Sequence, residues 1–130
     1  MTDSRPVDRP VNLDLATMKF PITATASILH RVSAVVVWVG FAFALYLLWT
    51  IQASPEGYAS VAAMFADSFL AKFFAWGFLT ALGYYCMGGL KHIIQEMGYF
   101  EEFESGQKIS WLAIGLGIVL SVVMGVVIWA

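Results

Sequence analysis

Three long apolar runs constrain this sequence more than any other feature. They occupy residues 32–51, 69–90 and 111–130, and Lys72 is the single charged residue inside them. Each run is about 20 residues long, enough for a helix rising about 1.5 Å per residue to cross roughly 30 Å of hydrocarbon. Only 12% of the chain is charged and 60% is hydrophobic, which leaves too few polar residues to cover a soluble core. The sequence therefore predicts an all-α membrane protein with three transmembrane helices.

The predicted organisation is a polar tail followed by one membrane domain. We assign residues 1–20 to the tail and residues 21–130 to the three-helix domain, with spans at about 30–51, 69–92 and 110–130. A secretory signal peptide has an apolar region of about 7–15 residues near the start of the chain. The first run here is longer and begins later, so we expect it to remain in the mature protein.

Proline and glycine mark the ends of the predicted helices. Pro21 suits the first turn of a helix, where its missing N–H is harmless, and we expect that helix to extend through the first apolar run. Pro55 and Gly57 predict a turn over residues 53–58. We expect a short amphipathic stretch at 58–66 to lie along the outer membrane surface before the second span.

Lysine and arginine predict the orientation. The link between the first two spans contains none, whereas six of the seven fall on the other side of the membrane. These six are Arg5, Arg9, Lys19, Arg31, Lys91 and Lys108. Because basic residues are retained in the cytoplasm, we predict a cytoplasmic N-terminus and a periplasmic C-terminus.

Small residues recur at four-residue spacing in the third span. Gly117, Ser121 and Gly125 fall on one helix face and permit a neighbouring helix to approach closely. Spacing alone leaves two interpretations open: contact with a helix of a partner protein, or packing against the first or second span of this chain.

Polar residues gather at the predicted cytoplasmic end of two spans. Ser27, His30 and Arg31 stand at i, i+3 and i+4 and so share one helix face. Lys91 and His92 end the second span, which runs in the opposite direction. We therefore predict that both histidines of the chain lie at the same membrane depth.

Two interpretations of these residues follow from their chemistry. A hydroxyl, an imidazole and a guanidinium at the edge of hydrocarbon suit a ligand with polar oxygens and an apolar tail, such as a quinone whose carbonyls need donors. Histidine also exchanges protons near neutral pH, as quinone reduction requires. The alternative is a basic anchor at the membrane interface, a common role for arginine at a cytoplasmic helix end.

Four segments carry a resemblance to a known family. They are RPVNLDL at 9–15, FPITATASILHRVSAV at 20–35, SPEGY at 54–58 and GLKHIIQEMGYFEE at 89–102. Together they resemble the cytochrome b556 membrane-anchor subunits of succinate dehydrogenase over nearly the whole chain. The segment around SILHR is the most specific of them, and three spans with the N-terminus inside is also the topology of that family.

The resemblance implies a role in complex II, the succinate:ubiquinone oxidoreductase of electron transport and the tricarboxylic acid cycle. With a second membrane-anchor subunit, this chain would hold a flavoprotein and an iron–sulfur subunit at the cytoplasmic face of a bacterial inner membrane. Ser27 and Arg31 match the family's quinone-contacting positions, and His30 matches a position near the quinone and the haem propionates. No activity alone and no nucleic-acid partner are expected, since the chain contains no nucleotide-binding glycine loop, cysteine cluster or catalytic triad.

The resemblance also implies a bound haem b, but this sequence differs from the family pattern at one position that concerns the haem. The family's axial histidine in the second span follows a tyrosine, and the same position here is Tyr85. Tyrosine ligates haem iron in some proteins, and His92 lies seven residues further on nearly the same face. Three alternatives remain: no haem, a haem held by the partner's histidine, or His92 as axial ligand. His30, Arg31 and His92 are also candidates for contacts with the propionates.

Two rival functions stay open on the sequence. The same anchor would serve a fumarate reductase, in which a quinol is oxidised, because the residues do not set the direction. A non-redox membrane scaffold, whose polar residues only anchor the interface, is the alternative from another class.

Overall fold

Four α-helices make up the part of the chain that the structure describes. In the computed structural model, which describes residues 10–11, 14 and 16–130, the helices are α1 Ile22–Ala53, α2 Pro55–Asp67, α3 Phe69–Glu96 and α4 Phe103–Trp129. Helices α1, α3 and α4 are long and apolar enough to cross a membrane, which confirms the prediction of an all-α chain with three such helices. Arg5, Arg9 and most of the RPVNLDL segment lie outside the described residues.

The connection between α1 and α2 is shorter than the sequence predicts. A single residue, Ser54, separates the two helices, and its hydroxyl accepts a hydrogen bond from the Gly57 N–H at 3.0 Å. Pro55 occupies the first turn of α2, where it needs no N–H partner. The predicted turn at 53–58 is therefore wrong, because proline and glycine here begin a helix that a serine caps. The stretch at 58–66 is helical within α2.

The loop between α3 and α4 is held in a defined conformation. Gly98 and Phe100 both have positive φ angles, 92° and 58°. This region is ordinary for glycine but uncommon for phenylalanine. The Gln95 side chain donates from Nε2 to the Phe100 carbonyl at 3.2 Å, and this bond ties the loop to the last turn of α3.

Small residues on α4 make its contact with α3. A Cβ built on Gly117 would lie 2.8 Å from the Tyr84 ring, and one built on Gly125 would meet a tryptophan of α3. Between them, the hydroxyls of Ser121 and Thr80 share a hydrogen bond of 2.9 Å. Of the two interpretations of this small-residue stripe, the structure supports packing within the chain.

Most apolar side chains lie outside the contacts between the helices. The buried hydrophobic residues are few: Ala26, Val37, Val61, Ile109 and Ala113. In the most apolar windows of α1, α3 and α4, only 6%, 6% and 11% of residues are buried. A water-soluble bundle would bury its apolar faces, so this degree of exposure fits helices whose outer faces meet lipid or other subunits.

Candidate functional site

His30 is seated in a notch on α3. The notch exists because residue 88 is glycine: a Cβ built there would lie 3.0 Å from Cγ and 3.3 Å from Cβ of His30, and would overlap its Cδ2. Helix α1 can therefore approach α3 closely at this level, with the imidazole in the space that a larger residue would fill. The neighbouring Gly89 faces no atom within 4 Å, so only one of the two adjacent glycines forms the notch.

Three rings form a column along the contact between α1 and α3. The His30 ring is stacked on the Tyr85 ring, with centroids 4.9 Å apart and planes 5° from parallel. It also meets the His92 ring, at 5.2 Å and an interplanar angle of 60°. Tyr85 and His92 are seven residues apart on α3, about 10.5 Å along the helix axis, so His30 fills the interval between them. The two imidazoles are therefore in contact, as the prediction of a shared depth for both histidines requires.

The Nε2 atom of His30 has no hydrogen-bond partner. This atom is buried, and no described residue supplies a donor or an acceptor to it. Buried polar atoms without partners are rare in folded proteins and are normally satisfied by water, an ion or a ligand. The His30 carbonyl, in contrast, accepts a 2.7 Å hydrogen bond from Ser33 Oγ, which leaves the ring nitrogen as the unsatisfied group.

Ser27 and Arg31 flank the ring column on α1. Ser27 is half-buried and Arg31 is exposed, and neither side chain has a hydrogen bond or ion pair with the described residues. Ser27, His30 and Arg31 are therefore neighbours on α1, but they differ in solvent exposure. His30 packs against α3, whereas Arg31 is exposed. A hydroxyl and a guanidinium with free donors remain available to a ligand at this end of the helices.

Lys91 and His92 have opposite environments although they are adjacent. Lys91 is buried, and its ammonium group donates to Gln95 Oε1 at 3.2 Å. Gln95 in turn holds the Phe100 carbonyl, so the buried lysine is linked to the loop before α4. His92 is exposed. The i, i+4 spacing of Lys91 and Gln95 was a usable sequence signal for their hydrogen bond, although we did not predict it. Nothing in the sequence indicates the notch at Gly88.

Tyr84 joins the three long helices beside the ring column. Its hydroxyl donates to the Ala26 carbonyl on α1 at 2.7 Å, and its ring packs on Gly117 of α4. The hydroxyl and the ring of Tyr84 are thus both engaged in contacts with other helices. Tyr85 is 38% exposed beyond its stack on His30, so the two adjacent tyrosines serve different contacts.

A polar surface cavity of about 520 Å³ lies apart from these residues. It is lined by Ile22 of α1 and by Glu104, Gln107, Lys108 and Trp111 of α4. None of them belongs to the ring column or flanks it. This cavity is therefore separate from the candidate site around His30.

Metal-ligating side chains do not converge in the described part of the chain. No group of three or more His, Cys, Asp or Glu residues there could hold a metal ion. The single cysteine, Cys86, is an exposed free thiol on α3. A structural zinc site, which needs four such ligands, is therefore not formed by these residues.

The chain is similar to proteins of a known family along nearly its whole length. Residues 5–124 match the family described as succinate dehydrogenase/fumarate reductase transmembrane subunit. The succinate dehydrogenase cytochrome b556 subunit of Coxiella burnetii is 30% identical over 121 residues, which are 93% of this chain and 97% of that protein.

Two further relatives show the same extent of similarity. The succinate dehydrogenase cytochrome b556 subunit of Paracoccus denitrificans is 29% identical over 94% of this chain and 93% of its own length. The succinate dehydrogenase cytochrome b560 subunit of Reclinomonas americana is 23% identical over 93% of this chain and 87% of its own.

Proposed function

This chain belongs to the succinate dehydrogenase/fumarate reductase transmembrane subunit family, and on that premise we propose that it is a membrane anchor of succinate:ubiquinone oxidoreductase. Together with a second anchor subunit, it holds a flavoprotein and an iron–sulfur subunit and forms part of the ubiquinone-reduction site. Two relatives named as succinate dehydrogenase subunits support the proposal, as do three helices of membrane-spanning length. The chain acts as a subunit and has no activity alone.

The proposed orientation brings the site to the cytoplasmic surface of a bacterial inner membrane. The distribution of lysine and arginine supports a cytoplasmic N-terminus and a periplasmic C-terminus. In this orientation Ser27 and Arg31, near the start of α1, lie beside the hydrophilic subunits that deliver electrons. The rings of the two histidines are in contact at this end of the helices.

One observation carries the quinone site: the unpartnered Nε2 belongs to His30, which lies on α1 between two residues with free donors. Ser27 and Arg31 have no partners among the described residues, and His30 Nε2 is buried without one. If His30 and Arg31 only anchored the helix at the membrane interface, the buried ring nitrogen without a partner would have no explanation. A ligand with carbonyl oxygens accepts hydrogen bonds from Ser27 and Arg31, and a water that accompanies it satisfies the buried Nε2 of His30.

The reaction adds two electrons and two protons to the quinone, and succinate loses two of each as it becomes fumarate. Negative charge develops on the quinone oxygens as electrons arrive, and the Arg31 guanidinium stabilises it. The Ser27 hydroxyl donates a hydrogen bond to one carbonyl and so orients the ring. An imidazole both donates and accepts protons, and the proposed share of His30 is to pass protons from the aqueous side.

Substitution of the two flanking residues tests this site in the assembled complex. A hydrogen bond from a charged donor contributes about 1.5–3 kcal/mol, so Arg31→Leu should lower kcat/KM for quinone about 10- to 100-fold. Ser27→Ala should lower it less, since a neutral hydrogen bond contributes about 0.5–1.5 kcal/mol. Succinate oxidation by a soluble dye, which bypasses the quinone, should be unchanged in both variants.

Lys72→Leu and Ser60→Ala are matched controls at the other end of the helices. Ser60→Ala on α2 removes a hydroxyl and Lys72→Leu on α3 removes a positive charge, both far from the site, and both variants should retain quinone reduction. If Ser27→Ala and Arg31→Leu also retain it in a complex with all subunits, the quinone site proposed here is wrong. A chain that purifies without any flavoprotein from its native membrane would instead indicate a non-redox scaffold.

Fumarate reduction is the second candidate function, because the family description includes it. The same residues would then bind a quinol and release its protons. The quinone extracted with the complex separates the two directions: ubiquinone supports succinate oxidation, and a low-potential menaquinone supports fumarate reduction.

A further inference from the structure

We infer that this chain supplies no axial ligand to a haem iron. The inference rests on the proposed function, since the haem in question would lie between this chain and the second anchor subunit. The names of the relatives, cytochrome b556 and b560 subunits, imply such a haem in those proteins. The chain's own donors must therefore be tested one by one for their fit to it.

His30 does not present its Nε2 atom to iron. Its Nε2 is buried, one face of its ring is covered by Tyr85 at 4.9 Å, and the ring is seated against Gly88. An axial imidazole needs open space in front of its nitrogen for the macrocycle. Iron would reach Nε2 only if α1 separated from α3 and the stack were broken.

Tyr85, at the position of the family's axial histidine, is a poor substitute here. Its ring lies flat on His30, at 5° between the planes. Iron binds the phenolate, and a charge in the membrane is costly without a partner. The Tyr85 hydroxyl has no hydrogen bond or ion pair with the described residues, so nothing in this part of the chain stabilises the phenolate before the iron arrives.

His92 is accessible but lies at the wrong level. It is about 10.5 Å further along the α3 axis than Tyr85. Iron at the depth of residue 85, the position of the family's axial histidine, would lie beyond the reach of the His92 ring. The space between the two levels is filled by His30, which contacts both rings.

Cys86 is a further donor near this level. It follows Tyr85 directly and so projects about 100° around the helix from it. Its exposed thiol therefore faces a different direction from the ring column. Axial ligation of a haem is therefore not favoured at His30 Nε2, Tyr85, His92 or Cys86, and we assign no step of quinone reduction to haem.

The test measures haem coordination in the intact complex, purified with all its subunits from cells grown with sufficient haem. Tyr85→Phe removes the phenol oxygen but keeps the stacked ring, and His92→Gln removes the accessible imidazole. Tyr99→Phe, an exposed tyrosine in the loop after α3, is the matched control. Haem content, the spin state by electron paramagnetic resonance and carbon monoxide binding after reduction are measured for each.

We expect both variants to equal the wild-type complex in all three measurements, whether the complex contains no haem or a haem ligated by other subunits alone. Conversion of a low-spin haem to the high-spin form by Tyr85→Phe or His92→Gln would overturn the inference. Loss of haem from a Tyr85→Phe complex that retains its subunits would also overturn it. Co-purification of the hydrophilic subunits and succinate-dependent quinone reduction report separately on the proposed function. Either idea can therefore fail while the other stands.

Discussion

Replacing Gly88 with alanine tests the packing of His30 in the notch on α3. The new Cβ would lie 3.0 Å from His30 Cγ and closer to Cδ2, whereas carbon atoms attract best at about 3.5–4.0 Å. The ring must then move by roughly 1 Å, or α1 must tilt away from α3. Overpacking of this kind costs about 1–3 kcal/mol. The higher helix propensity of alanine opposes this effect by up to about 1 kcal/mol.

Gly89→Ala is the matched control, because it brings the same helix propensity and meets no atom within 4 Å. We expect Gly88→Ala to be less stable than Gly89→Ala by about 1–3 kcal/mol, measured by reversible unfolding of the full chain in mixed micelles. A double-mutant cycle with His30→Ala isolates the contact, since the penalty should disappear when the ring is absent. Equal stability of the two glycine variants, or the same effect of Gly88→Ala with and without His30, would refute the reasoning.

Two further predictions concern the small-residue stripe and the orientation. Gly117→Ala should lower the unfolding midpoint, because its Cβ would lie 2.8 Å from the Tyr84 ring, whereas Gly115→Ala meets no atom within 4 Å and should not. A larger loss with Gly115→Ala would contradict the α3–α4 contact. A reporter enzyme that is active only in the periplasm should be active when fused after Ala130, as the basic residues predict. Activity of the same reporter in the α3–α4 loop would reverse the orientation.

The membrane class of the fold was predictable because it depends on segment length and composition. The thickness of hydrocarbon sets the number of apolar residues in a span, and no tertiary contact is needed to count them. The first connection was not predictable in the same way. Pro55 is favoured both in turns and in the first turn of a helix, and the cap by Ser54 that decides between them is a property of the folded backbone.

The contacts between helices were only partly accessible from spacing. Spacing shows which residues share a face but not what that face meets. Gly117, Ser121 and Gly125 were therefore equally consistent with a partner helix and with α3. Gly88 and Gly89 cannot be told apart in the sequence. Only the position of α1 in the structure shows that Gly88, and not Gly89, contacts His30.

The packing of His30 against Gly88 also determines how a ligand can approach α1. Successive residues of a helix are about 100° apart, so Ser27 stands about 60° and Arg31 about 100° from His30, both in the same direction around the axis. With His30 committed to the notch at Gly88, Ser27 and Arg31 form one flank of α1, turned away from that contact. A quinone that touches both of them meets His30 only at the edge of its ring. Substitution of His30 should therefore disturb the α1–α3 contact as well as proton transfer, whereas substitution of Ser27 or Arg31 should affect quinone reduction without loss of stability.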